Sequence, residues 1–107
     1  MSDLAAPTAL ATLIDYQPAA IVSRVLLKQK TGNVTLFAFD AGQELSEHTA
    51  PFDALVQLVD GAAVIHIDRQ PHSVTAGQIL LLPAGIPHAV KAVSQMKMLL
   101  TMIRPAT

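Results

Sequence analysis

The chain has 107 residues, enough for one small domain and too few for two. Hydrophobic residues make up 51% of it and charged residues 14%, which excludes a disordered chain, because disorder needs low hydrophobicity and high charge. Seven basic residues against eight acidic ones leave a net charge of −1, so we expect no nucleic-acid partner. The absence of cysteine excludes disulfides, thiolate metal sites and cysteine nucleophiles.

The sequence also predicts a cytoplasmic location with no membrane partner. The apolar stretch Ile79–Leu82 is ended by Pro83, far short of the roughly 20 residues that a membrane helix needs. The start, Met-Ser-Asp-Leu, lacks the basic residues and apolar run of a signal peptide. So few charged residues cover a small domain only thinly, and we therefore expect a homodimer whose interface hides part of the apolar surface.

In chain order, residues 1–20 carry two prolines and several alanines, which predicts an irregular segment or arm before a single barrel domain over residues 21–107. From residue 21 onward, short apolar or alternating runs are bounded by turn residues, the pattern of β-strands. Eight or nine such strands, spaced by about 8–12 residues, are typical of a sandwich or barrel, so the predicted fold class is all-β. The predicted strands cover residues 21–29, 34–40, an extended piece ending at 48, 54–59, 62–68, 73–75, 79–82, 88–92 and 96–103.

Two stretches carry glycine and histidine at fixed spacings. In the first, Gly42 is followed after five residues by His48, and the segment ends at Gly61. Glycine permits a positive φ where strands reverse, and a proline and glycine before a histidine end one strand and turn the chain so that the histidine starts the next. The second stretch contains Gly77, Pro83, Gly85 and His88. These spacings resemble the paired motifs of the cupin superfamily, in its small single-domain form, over residues 34–103.

The resemblance implies a double-stranded β-helix, or jelly-roll barrel, in which histidines of the two motifs face each other. It further implies that His48 and His88 line the pocket and hold one divalent metal, Fe, Mn, Ni or Zn, the ions that imidazole suits. The sequence departs from the motifs where a second histidine, a carboxylate and an asparagine are expected. Those three positions hold Ala50, Ala54 and Ala92. At most two of the four family ligands therefore remain, whereas a catalytic metal normally has three protein ligands.

Two nearby residues are candidates to complete such a site. Side chains alternate along a strand, so an inward Ala54 turns Asp53 outward. Asp53 is then a turn or strand-start residue, unless a bulge near Pro51 directs its carboxylate inward as a third metal ligand. His66, on the strand after Gly61, either lines the pocket or faces solvent.

The sequence supports two functions and names no catalytic residue. The first is a binding module whose pocket, lined by His48, His88 and His66, holds a small molecule and needs no cofactor. The alternative is a dioxygenase- or isomerase-like metalloenzyme, in which His48 and His88 hold the cation and Asp53, His66 or water completes its coordination. A structural or regulatory dimer with a filled barrel is a third possibility.

Overall fold

The computed structural model describes residues 3–105, and the described chain folds into nine antiparallel strands. Alternating apolar side chains favour strands here because each strand can bury one face and leave the other for solvent or a second layer. The all-β prediction is confirmed. The strands are β1 (Ile21–Gln29), β2 (Gly32–Phe39), β3 (Glu44–His48), β4 (Asp53–Asp60), β5 (Ala62–Ile67), β6 (Gln70–Thr75), β7 (Ile79–Leu82), β8 (His88–Ala92) and β9 (Met96–Ile103).

The strands form two sheets that face each other. The larger sheet has the order β1-β2-β9-β4-β7, and the smaller has the order β3-β8-β5-β6. Strands adjacent in sequence often lie in different sheets, as β3 and β4 do, so the chain crosses repeatedly between layers. This arrangement agrees with the jelly-roll barrel that the motif resemblance implies.

Two turns differ from the prediction. Gly32 begins β2 instead of lying in the turn, and only glycine fits there, because a Cβ would lie 2.0 Å from the carbonyl oxygen of Met102 on the neighbouring strand. β6 begins at Gln70, three residues earlier than predicted, since Asp68 and Arg69 alone reverse the chain, with φ of 50° and 65°. Proline has no backbone N–H to donate. Pro71 is accommodated because β6 is an edge strand and has only one neighbouring strand to pair with.

The core lies between the sheets and follows the predicted alternation. Ala54, Val56 and Leu58 of β4 are buried, whereas Asp53 and Gln57 are exposed. Opposite Phe39 on the larger sheet lies Met96, and opposite Ala54 lies Met102, so β9 runs from an end of the barrel with large side chains to an end with small ones. Fully buried positions include Phe39, Val56, Ile65, Met96 and Met98.

The N-terminal segment covers part of the outer face of the larger sheet. It contains two 3₁₀ helices, Asp3–Ala5 and Leu10–Thr12, and places Ile14 against Leu36 and Ala38 in a second apolar cluster. Arg24 and Lys97 of the sheet each donate a hydrogen bond to a carbonyl oxygen of this segment, at 3.1 and 2.6 Å. The described part of the segment therefore packs on its own barrel. No helix within residues 3–105 is long and apolar enough to cross a membrane.

Candidate functional site

The two motif histidines meet at one end of the barrel. His48 ends β3, His88 begins β8, and the two residues are direct partners in the ladder between these strands. The turn after β7 fixes this approach, because Gly85, at φ 76°, donates its N–H to the carbonyl oxygen of Ala50 at 2.8 Å. Residues 40 positions apart in sequence are thus joined by the ladder and by the turn that precedes His88.

The imidazole rings of His48 and His88 are in direct contact. Their centroids lie 4.3 Å apart with an interplanar angle of 68°, and their Nε2 atoms are separated by 3.1 Å. Each Nδ1 faces a backbone carbonyl oxygen, that of Ser46 at 2.9 Å from His48 and that of Ile86 at 3.3 Å from His88. A carbonyl oxygen can only accept, so the Nδ1–H groups donate and the two Nε2 atoms are left facing each other.

This geometry requires a hydrogen-bond donor between the rings. Two neutral rings that both donate through Nδ1 would oppose two lone pairs at Nε2, which is repulsive. Burial lowers the pKa of His88, and repulsion from His48 lowers it further, while the hydrogen bond to Ile86 acts in the opposite direction. The lowered pKa favours a neutral His88, whose Nε2 is then an acceptor.

A cavity of about 310 Å³ opens beside the histidine pair. Its wall is apolar apart from Thr49 and the two imidazoles, and Ala50 and Ala54, which stand where the cupin motif has ligating side chains, form part of it. Motif spacing does not identify the apolar residues that contribute to the wall. These are Pro51, Phe52, Leu82, Leu100 and Met102. The inward row that contains Ala54 was the available signal for two of them, because Leu82 and Met102 are its ladder partners.

The structure does not bring the other two candidates to the histidine pair. The exposed Asp53 lies on the face of β4 opposite Ala54, and its carboxylate accepts a hydrogen bond from the N–H of Ala84 at 2.9 Å. This bond ties the start of β4 to the turn after β7. On β5, Ala63 and Ile65 are buried and face the core. His66 follows Ile65, so its side chain faces outward, and it is not part of the cavity wall.

The residues at this site supply only part of the ligands that a bound metal needs. The two Nε2 atoms are suitable ligands, and the carbonyl oxygens behind Nδ1 would orient both rings. Among residues 3–105, however, no group of three histidine, cysteine or carboxylate side chains could hold a cation. Alanine occupies the other motif positions, so the described residues do not fit the three-ligand shell of a catalytic metal.

A family model described as the AraC-like ligand binding domain matches residues 32–106, which is most of the chain and includes both histidines. The chain belongs to this family. Its barrel is of the small, single-domain cupin type, as the motif resemblance implied, and the family description agrees with a cavity suited to a small ligand.

Solved structures support the same fold. A cupin superfamily protein from Desulfitobacterium hafniense is 29% identical, with a TM-score of 0.89 over 94% of this chain and 92% of that one. A cupin 2 conserved barrel domain protein from Leptotrichia buccalis is 38% identical, with a TM-score of 0.86, over 89% of this chain and 46% of that one. A conserved protein of unknown function from Streptococcus pyogenes is also 38% identical, with a TM-score of 0.81, over 85% and 80% of the two chains.

Proposed function

We propose that this chain is a binding module that holds a small organic molecule in the cavity beside His48 and His88. The observation that carries the proposal is the combination of an apolar wall with one polar end, formed by the imidazoles of His48 and His88. A cavity of about 310 Å³ lies at the lower end of the range for ligand sites and suits a molecule with one ring or a short branched chain.

The alternative is a metal-dependent enzyme with the cation on His48 and His88. The approach of the Nε2 atoms to 3.1 Å favours it, because both donors already point to one place. The site supplies only two imidazole ligands, fewer than the three that a catalytic metal normally has, and we therefore place ligand binding first. We do not propose Asp53 as the third ligand, since its carboxylate is engaged with Ala84 on the opposite face of β4.

Benzyl alcohol is a suitable probe for the binding proposal, because its ring matches the apolar wall and its hydroxyl can donate to an Nε2 atom. We expect saturable NMR shifts of the His48 and His88 ring protons, and loss of most of the binding in His88→Gln. The matched control is His66→Gln, which we expect to bind normally because His66 lies on the outer face of β5. Absence of saturable binding to the folded wild-type chain would contradict the proposal.

Elemental analysis of protein purified without an affinity tag tests the alternative. We expect Fe, Mn, Ni and Zn each to be well below one equivalent, because two imidazoles form a weak site. One equivalent of any of these metals, lost in the His48→Ala, His88→Ala double variant while the fold persists by circular dichroism, would favour the metalloenzyme instead.

We further propose that two copies associate through the outer face of the larger sheet. A row of ladder partners on this face, with one residue from each of the five strands, is apolar except for Thr101. Leu27 of β1 and Leu81 of β7 lie at the two ends of the row and are 56% and 51% exposed. A second copy can cover this row by two-fold symmetry, which pairs the same patch with itself. We expect a dimer in light scattering at micromolar concentration and a folded monomer for Leu27→Glu, Leu81→Glu; a wild-type monomer would contradict this.

A further inference from the structure

The mouth of the cavity carries a cation that the binding proposal does not yet use. Phe52 and Pro51 belong both to the cavity wall and to an open groove that also contains Arg104 and Pro105. The guanidinium carbon of Arg104 lies 5.9 Å from the centre of the Phe52 ring, within the range of a cation–π contact. Arg104 thus stands beside a residue that any molecule in the cavity touches.

The position of Arg104 follows from β9. Leu100 and Met102 point into the cavity, and the same alternation continued for two residues brings Arg104 to the inward side at the edge of the barrel. The backbone N–H of Arg104 donates to the carbonyl oxygen of Thr31 at 2.7 Å, which anchors the main chain next to the cavity mouth. The exposed side chain keeps its freedom to turn toward a bound molecule.

The charge around this mouth is one-sided. No carboxylate belongs to the cavity wall or to the adjoining groove as the structure describes them. Asp53 follows Phe52 directly, but it accepts from the N–H of Ala84 and forms no ion pair with Arg104. Glu47, next to His48, forms an ion pair with Arg69 at 3.6 Å, and this is the one ion pair within residues 3–105. Arg104 therefore has no carboxylate partner among residues 3–105, and the carboxylate of a ligand can pair with it.

We propose that Arg104 is the specificity-determining residue of the cavity and that the ligand is a small carboxylic acid, with its apolar body inside and its carboxylate on Arg104. This inference rests on the proposed binding function and narrows its ligand class. A planar guanidinium binds a carboxylate through two parallel hydrogen bonds, which a lysine or an amide does not reproduce. The acid therefore binds more tightly than a neutral molecule of the same shape.

The test compares benzoate, phenylacetate and 3-phenylpropanoate with their primary amides, which differ from them in charge and hardly in size. We expect calorimetry or NMR titration at low salt to show at least one acid binding about tenfold or more tightly than its amide. In Arg104→Gln this preference falls to within about two- to threefold, and in Arg104→Lys it is intermediate. Amide binding itself stays unchanged in both variants.

Lys91→Gln is the matched control, because Lys91 is exposed on β8 between the buried Val90 and Ala92 and points away from the cavity. It removes the same charge, and we expect it to keep the preference for acids. Equal binding of acids and amides by the wild type, or a preference that survives in Arg104→Gln, overturns the assignment of Arg104 and leaves the binding function intact. If neither acids nor amides bind, the proposed ligand class is overturned, and the benzyl alcohol titration decides the binding function separately.

Discussion

The two ends of the barrel interior differ in packing although the same strands build them. At the closed end, Met96 of β9 lies opposite Phe39 and is fully buried. At the open end, six residues further along β9, Met102 lies opposite Ala54 and is half-buried beside the cavity. The ladder between β4 and β9 is regular beside the cavity, from Asp53 to Leu58, so the cavity results from small side chains at Ala50 and Ala54 and not from a break in the sheet there. The closed end is fully packed, and the open end leaves space for the proposed binding site.

Truncating the two methionines tests this contrast most directly, because they share a residue type and a strand. We expect Met96→Ala to lower the free energy of unfolding by about 2–5 kcal/mol, since it leaves a void in a closed core. Met102→Ala should cost about 1–2 kcal/mol or less, because its side chain already borders open space. Urea unfolding followed by circular dichroism measures both values. Equal losses would show that the two ends are packed alike.

Enlarging an alanine at each end reverses the experiment. Ala54→Leu fills part of the cavity, so we expect little change in stability and a strong loss of benzyl alcohol binding. Ala63→Leu inserts the same atoms beside a fully packed core position that is 1% exposed, and we expect a loss of about 1–3 kcal/mol with binding retained. Thermal unfolding with and without the probe reports both effects. A stable Ala63→Leu with impaired binding would contradict the division of roles.

The open end should also make stability depend on pH. Burial and the neighbouring His48 lower the pKa of His88 from its ordinary value of 6.5. Below about pH 6.5 the unfolded chain therefore binds more protons at this residue than the folded chain does. The stability that the buried neutral ring provides is fully present above that pH and is lost as the pH falls toward the lowered pKa. We expect urea unfolding at pH 8 and pH 5 to show this loss.

His88→Gln should show a smaller loss between the same two pH values, because the side chain that titrates is gone. His72→Gln is the matched control, since His72 is exposed on the edge strand β6 and should leave the wild-type loss unchanged. An undiminished loss in His88→Gln would place the responsible group elsewhere.

The strands could be predicted from the sequence better than the cavity. Period-two alternation and turn residues predicted every strand in the described chain, and placed Ala54, Val56 and Leu58 on one face of β4 with Asp53 on the other. These are local rules, because neighbouring side chains on a strand must face opposite ways. The predicted strand bounds differ from the structure by a few residues where a distant part of the backbone matters. Gly32, which lies against Met102 of β9, is one such place.

The site was predicted in part. Motif spacing brought His48 and His88 together correctly, since strand reversals at glycine and proline fix which residues meet. Whether His66 lined the pocket could not be decided from the sequence, because that depends on which face of β5 meets the core. The proximity of Arg104 to Phe52 depends on where β9 ends relative to β4, which alternation within either strand does not determine.

The smallest expected effect concerns the turns at the two ends. At the closed end, the turn between β4 and β5 uses Gly61 at φ 75°, where a Cβ would lie 2.0 Å from the carbonyl oxygen of Gln95. At the open end, the turn between β5 and β6 uses Asp68 and Arg69, both with positive φ and neither a glycine. Left-handed backbone is strained for residues with a Cβ, so the turn between β5 and β6 stores strain that the turn between β4 and β5 avoids.

Replacing this turn by Asp68→Asn, Arg69→Gly supplies residues that favour the same backbone. We expect a gain of about 0.5–1 kcal/mol in the free energy of unfolding, since relief of strain exceeds the entropy cost of one glycine. Losing the exposed pair of Arg69 with Glu47 should offset little of this gain, which Arg69→Gln alone measures. The N–H of residue 68 still donates to the carbonyl oxygen of Pro87, so His88 should keep its position and benzyl alcohol its affinity. Weaker binding in the more stable variant would instead mean that the strained turn helps to hold the histidine pair in place.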